Sequence, residues 1–84
     1  MNIDYVWNKI KANEGETFYT VSGLPFTYKV IGGAVVPSRA KQNISQSCFE
    51  KALNLMPLKG PGDISNIVRG SAYVYSVLTD KRIK

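Results

Sequence analysis

The spacing of apolar residues predicts a helix at the start of the chain. Four apolar side chains recur at the i, i+3, i+4, i+7 spacing of one helical face: Ile3, Val6, Trp7 and Ile10. Asn2 or Asp4 provides a start signal, and residues 13–15 end in a glycine that favours a stop. We expect Trp7, the largest of these side chains, to pack this helix against the rest of the domain.

The next third of the chain is typical of β-structure. Residues 17–21 are rich in β-branched and aromatic side chains. Along residues 26–31, alternation puts three apolar side chains on one face: Phe26, Tyr28 and Val30. Gly32-Gly33 suits a two-residue hairpin turn, and the return strand 34–36 ends at Pro37, which belongs at an edge or exit because it donates no ladder bond.

A second helix has two possible start signals. Ser47 is followed three residues later by Glu50, which is the capping-box spacing. A start at Ser45 would instead let Ile44 pack on Phe49 as a hydrophobic staple. Both alternatives give the same apolar face: Phe49, Ala52, Leu53 and Met56.

The last third contains two further elements. Asp63 is a candidate N-cap for a short helix that ends at Gly70 and carries three apolar residues: Ile64, Ile67 and Val68. Residues 71–78 are ambiguous. Their tyrosines and valines favour a strand, whereas Ser71 as a cap favours a helix with one apolar face: Val74, Val77 and Leu78.

These elements predict a small two-layer α+β domain. The expected order is helix, three strands, helix, short helix, and a final helix or strand. Amphipathic helices bury their apolar faces on a sheet, so we expect a three-stranded antiparallel β-meander covered on one face by two main helices. A final strand would be the fourth of that sheet. The length of 84 residues suggests a single domain over residues 1–84.

The composition excludes much catalytic and metal chemistry. The chain has no histidine and one cysteine, Cys48, so neither a four-ligand zinc site nor a Ser-His or Cys-His nucleophile can be built. The six acidic residues are scattered along the sequence. We therefore predict a non-enzymatic module with no metal, cofactor or small-molecule substrate. One thiol and the lack of a membrane-length apolar run suggest a cytoplasmic protein without a membrane partner.

The net charge of +5 indicates a polyanionic partner. No acidic residue occurs between Thr17 and Phe49, and the loop between the predicted hairpin and second helix combines cations with amides. Cations and a helix N-terminus favour phosphate, and amides can pair with base edges. We therefore predict a nucleic-acid-binding module, for DNA or RNA, with five candidate residues: Lys29, Arg39, Lys41, Gln42 and Asn43. A simple solvated connection would have a similar composition.

Two further features bear on this hypothesis. Whichever of Tyr19, Phe26 and Tyr28 faces away from the helices could stack on unpaired bases. A second basic cluster consists of Lys81, Arg82 and Lys84. The hypothesis expects this cluster to lie on the same side of the folded domain as Lys29, Arg39 and Lys41.

The alternative is a protein-interaction or homodimer-forming module, favoured by interface tyrosines and by an edge strand that ends at Pro37.

The order helix, three strands, helix is similar to that of the double-stranded-RNA-binding domain. That family has a lysine-rich turn at the start of its second helix, which contacts phosphates. The corresponding residues 44–49 contain no lysine. The similarity is therefore one of layout and assigns no function.

Overall fold

The computed structural model describes residues 2–40 and 42–83. Its helices are α1 (Ile3–Ala12), α2 (Gln46–Leu53) and α3 (Ser71–Thr79), with a 3₁₀ helix at Pro61–Ile64. Its strands are β1 (Phe18–Tyr19), β2 (Pro25–Phe26), β3 (Tyr28–Ile31), β4 (Ala34–Pro37) and β5 (Ile44–Ser45). The predicted α+β class and the order of elements are confirmed.

The strands form two small antiparallel sheets rather than one continuous meander. One sheet is β1–β2, and the other has the order β3-β4-β5. The division occurs at Thr27, whose N–H donates to Ser38 Oγ (3.0 Å) and whose carbonyl accepts from Ser38 N–H (2.8 Å). The backbone of Thr27 thus bonds to the segment after β4.

The Gly32-Gly33 turn was predicted correctly, since both glycines have positive φ (56° and 77°).

β4 is the central strand of its sheet, not an edge. Ile44–Ser45 adds to it as β5, with Val35 opposite Ile44. The prediction that the strand ending at Pro37 is an edge strand was therefore wrong. It failed because a two-residue strand gives too short a pattern to be seen in sequence.

The turn after α1 covers the outer edge of β3. Gly15 N–H donates to Tyr28 O (3.1 Å), and the Glu14 carboxylate accepts from Val30 N–H (2.6 Å). These bonds occupy backbone groups that an edge strand would otherwise offer to another chain.

The core is built on the predicted apolar faces. Val6, Trp7 and Ile10 of α1 are all buried, and the Trp7 ring lies edge-on to Phe49 at 5.8 Å. Tyr28 is also buried, and its hydroxyl donates to Ile10 O (2.6 Å). This bond satisfies the phenol inside the core, and burial raises the pKa of Tyr28 well above its ordinary value.

α2 begins at Gln46 with Ser45 at the N-cap position, so the second of the two predicted starts is correct. Ile44 and Phe49 are both fully buried in the same core cluster, which agrees with a hydrophobic staple. Ser47 lies inside the first turn, where its hydroxyl contacts Ser45 Oγ at 2.8 Å.

The ambiguous segment near the C-terminus is helix α3. The three apolar residues predicted to share one helical face are all buried, as a helix requires and an alternating strand does not: Val74, Val77 and Leu78.

Gly70 is the N-cap of α3 and has the left-handed backbone conformation (φ 67°). A Cβ there would lie 2.8 Å from Ile44 Cδ1 and 2.9 Å from Gln42 Oε1, so glycine is required by space as well as by φ.

The preceding element is a single 3₁₀ turn rather than a helix capped by Asp63. Asp63 lies within this turn, and its carboxylate accepts from Lys59 N–H (2.8 Å). Ile64 and Val68 are buried as predicted, whereas Ile67 is 46% exposed. A longer helix would have buried all three.

Candidate functional site

The loop after β4 is docked on the outer edge of β2. Ser38 bonds to the backbone of Thr27, and the neighbouring Arg39 donates its Nε–H to Pro25 O (2.6 Å). The side chain of Arg39 is exposed, and this bond uses only one of its five N–H donors. Arg39 is therefore a solvent-facing cation with a fixed position.

The rest of this loop divides between the interior and solvent. Asn43 is exposed. Gln42 is half-buried with Oε1 facing Gly70, and this oxygen has no hydrogen-bond partner among residues 2–40 and 42–83. Lys41 lies outside the described residues.

Lys29 lies on β3, the strand that pairs with β4. Lys29 is exposed, and its cross-strand partner is Val36. Thr27, two residues before Lys29, bonds to Ser38, the residue that precedes Arg39. Residues two apart on a strand share a face, so Lys29 lies on the same face as Thr27. Lys29 is thus an exposed cation on the strand next to β4, and Arg39 is an exposed cation in the loop that follows β4.

Arg82, from the terminal basic cluster, is bound to the other edge of the hairpin sheet. Its Nη2 donates to Thr17 O (2.8 Å), and its guanidinium lies 3.9 Å from the centroid of the Phe18 ring. Its Nε–H bonds to Asp80 Oδ1 (2.9 Å). This hydrogen bond lowers the pKa of Asp80 and raises that of Arg82.

Arg39 and Arg82 consequently anchor opposite edges of the β1–β2 sheet. The convergence of the two basic clusters on one side of the domain stays a prediction, and within the terminal cluster Asp80 balances the charge of Arg82. Lys81 is exposed, and Lys84 lies outside the described residues.

Of the three aromatic candidates, Tyr19 faces solvent. Its exposed fraction is 62%, compared with 2% for Phe26 and 1% for Tyr28. Val21 and Leu24, in the turn that joins β1 to β2, are also exposed. The tip of this hairpin therefore presents apolar side chains in addition to an aromatic ring.

A groove of about 350 Å³ lies between the hairpin and α3; we call it the β1–α3 groove. It is lined from the hairpin by Tyr19 and Val21, and from α3 and the residues that follow by Tyr75, Ser76 and residues 79–81. Tyr19 was a candidate from the sequence, but the groove was not predicted, because no local pattern indicates that α3 packs beside β1.

Residues 2–40 and 42–83 contain no cluster of three or more potential metal ligands. Cys48 is half-buried, and its Sγ accepts a hydrogen bond from Ser45 Oγ (3.4 Å). Among the described helices, none has the length and apolar character needed to cross a membrane.

Comparison with protein-family models, curated protein sequences and solved structures gives no match for this chain.

Proposed function

We propose that this protein is a small, non-catalytic, basic module that binds nucleic acid through phosphate contacts made by the loop before α2. The observation that supports this most directly is Arg39, an exposed guanidinium fixed at its Nε by Pro25 O. A cation held in position loses less conformational freedom on binding than a mobile one. The lone Cys48 suits a reducing cytoplasm, where we expect the module to act.

Neighbouring residues extend the phosphate-binding surface. Lys29 is exposed on the adjoining strand, and Lys41 follows Arg39 closely in the sequence. Each cation that neutralises a phosphate releases counterions, so binding depends on salt. Asn43 is the exposed amide available to a base edge, whereas Gln42 turns its oxygen toward Gly70.

The test is a titration of labelled single-stranded and duplex oligonucleotides at several salt concentrations. We expect binding at about 50 mM salt that weakens as salt rises, with a slope of roughly one unit for each phosphate contacted. Lack of binding by micromolar protein at about 50 mM salt would reject the proposal, because the electrostatic contribution is largest there.

A second candidate is a protein-interaction or homodimer-forming module. It is favoured by the exposed apolar side chains of the hairpin, Tyr19, Val21 and Leu24. Sedimentation velocity tests the homodimer directly. We expect self-association that a Leu24→Ser substitution weakens, and a monomer at all concentrations would reject the homodimer.

A further inference from the structure

We infer that the β1–α3 groove accepts one unpaired nucleobase stacked on Tyr19, and that the module therefore selects single-stranded over duplex nucleic acid. This inference rests on the proposed function and adds to it the class of nucleic acid. It assigns binding roles to Tyr19 and Tyr75, on elements outside the phosphate-binding loop.

The first argument is the relation between Tyr19 and Arg39. Tyr19 is the cross-strand partner of Pro25, and Pro25 O is the group that fixes Arg39. Paired residues on adjacent strands have Cβ atoms about 5 Å apart. The exposed ring of Tyr19 and the cation of Arg39 are therefore both placed relative to Pro25, Tyr19 across the strand pair and Arg39 at the outer edge of β2. A single strand whose base stacks on Tyr19 would cross Pro25 to bring a phosphate to Arg39.

The second argument is the shape and chemistry of the groove. Its volume of about 350 Å³ is at the small end for ligand sites, which suits one planar ring. Tyr19 is 62% exposed, so its ring is available for stacking, and Tyr75 on α3 also lines the groove. Aromatic walls bind any base, because every base has a π face.

The third argument is charge. Asp80, which lines the groove, would repel a polyanion, but its carboxylate is paired with Arg82 at 2.9 Å. Lys81, which also lines the groove, is exposed. The groove thus has a cation beside a neutralised carboxylate, which complements a nucleic-acid backbone.

Both sides of the groove are tied to the rest of the domain by contacts that need no ligand. β1 is held by Arg82 at Thr17 O, and β2 is held by Arg39 at Pro25 O. On the other side, Tyr75 belongs to α3, whose buried face packs in the core. A duplex cannot use this site, because its bases are already stacked on both faces.

The experiment measures affinity for a labelled single strand of about 12 nucleotides at low salt. Its competitors are the matching duplex and the same strand with abasic sites, which retains every phosphate. Tyr19→Ala is compared with Tyr5→Ala, which removes another exposed tyrosine, on α1 and outside the groove. Tyr19→Phe keeps the ring and should restore binding.

We expect Tyr19→Ala to weaken binding at least about fivefold and Tyr5→Ala to leave it unchanged. Abasic and duplex competitors should bind the wild type as weakly as the single strand binds Tyr19→Ala. If Tyr19→Ala and the abasic strand bind normally while Arg39→Gln weakens binding, the groove assignment is overturned and the proposed function stands. If no oligonucleotide binds the wild type, both are overturned.

Discussion

Arg82 lies 3.9 Å from the centroid of the Phe18 ring and joins the end of the chain to the first strand of the hairpin. Phe18 is fully buried, so the guanidinium covers a core residue while its Nη2 bonds to Thr17 O. The next residue, Ile83, is also fully buried. The C-terminal residues thus stabilise one wall of the β1–α3 groove.

Replacement of Arg82 by alanine should lower the free energy of unfolding by about 1–2 kcal/mol, because the ring contact and the bond to Thr17 O are both lost. Urea unfolding followed by circular dichroism measures this. Lys81→Ala is the matched control and should change stability by less than about 0.5 kcal/mol. Arg82→Lys should restore little of the lost free energy of unfolding, since lysine lacks the planar guanidinium group. Equal effects of the two alanine variants would contradict the assignment.

The Asp80–Arg82 pair should make stability depend on pH. The hydrogen bond from Arg82 lowers the pKa of Asp80 in the folded state. The contribution of the pair to the free energy of unfolding is therefore fully present above the ordinary carboxyl pKa near 4, and it is lost as the pH falls through the lower pKa of the folded state. Asp80→Asn should therefore be less stable than wild type at pH 7 and equally stable at about pH 2. Thermal unfolding at both values measures this, and a difference independent of pH would contradict it.

Gly70→Ala should destabilise the domain by more than about 2 kcal/mol. The left-handed backbone alone costs a side chain roughly 1–2 kcal/mol, and the new Cβ would lie 2.8 Å from Ile44 Cδ1. Gly33→Ala is the matched control, because φ is also positive there but no atom lies within 4 Å of the added carbon. Equal losses for both variants in urea unfolding would show that the close approach contributes nothing.

Tyr28→Phe should cost about 1–2 kcal/mol, because it leaves the buried Ile10 carbonyl without the hydroxyl that donates to it. Tyr19→Phe, at an exposed ring, should be neutral. Chemical unfolding of both variants provides the measurement. A neutral Tyr28→Phe would contradict this, and would indicate that the N–H of Asn13, 3.3 Å from Ile10 O, satisfies that carbonyl by itself.

Local sequence patterns predicted the elements that depend on neighbouring residues. The spacing of Val6, Trp7 and Ile10 indicated α1, and Gly32-Gly33 indicated the β3–β4 turn. The two-residue strand β5 was missed because two residues carry no periodicity.

The candidate site was predictable only in part, since its geometry depends on contacts distant in sequence. The loop after β4 was proposed as a phosphate-binding site from its composition, but the docking of Arg39 on Pro25 O could not be predicted. Arg82 and Thr17 are separated by 65 positions, so no local pattern indicates their bond. The groove that this bond stabilises likewise appears only in the folded chain.

The most direct test of the account compares the salt dependence of oligonucleotide binding for two charge-matched variants, Arg39→Gln and Lys51→Gln. Both remove one exposed cation, but Lys51 lies on α2 outside the proposed surface. We expect Arg39→Gln to weaken binding and to reduce the salt slope by about one unit, with the slope of Lys51→Gln unchanged. Identical slopes and affinities for the two variants would contradict the claim that Arg39 binds a phosphate.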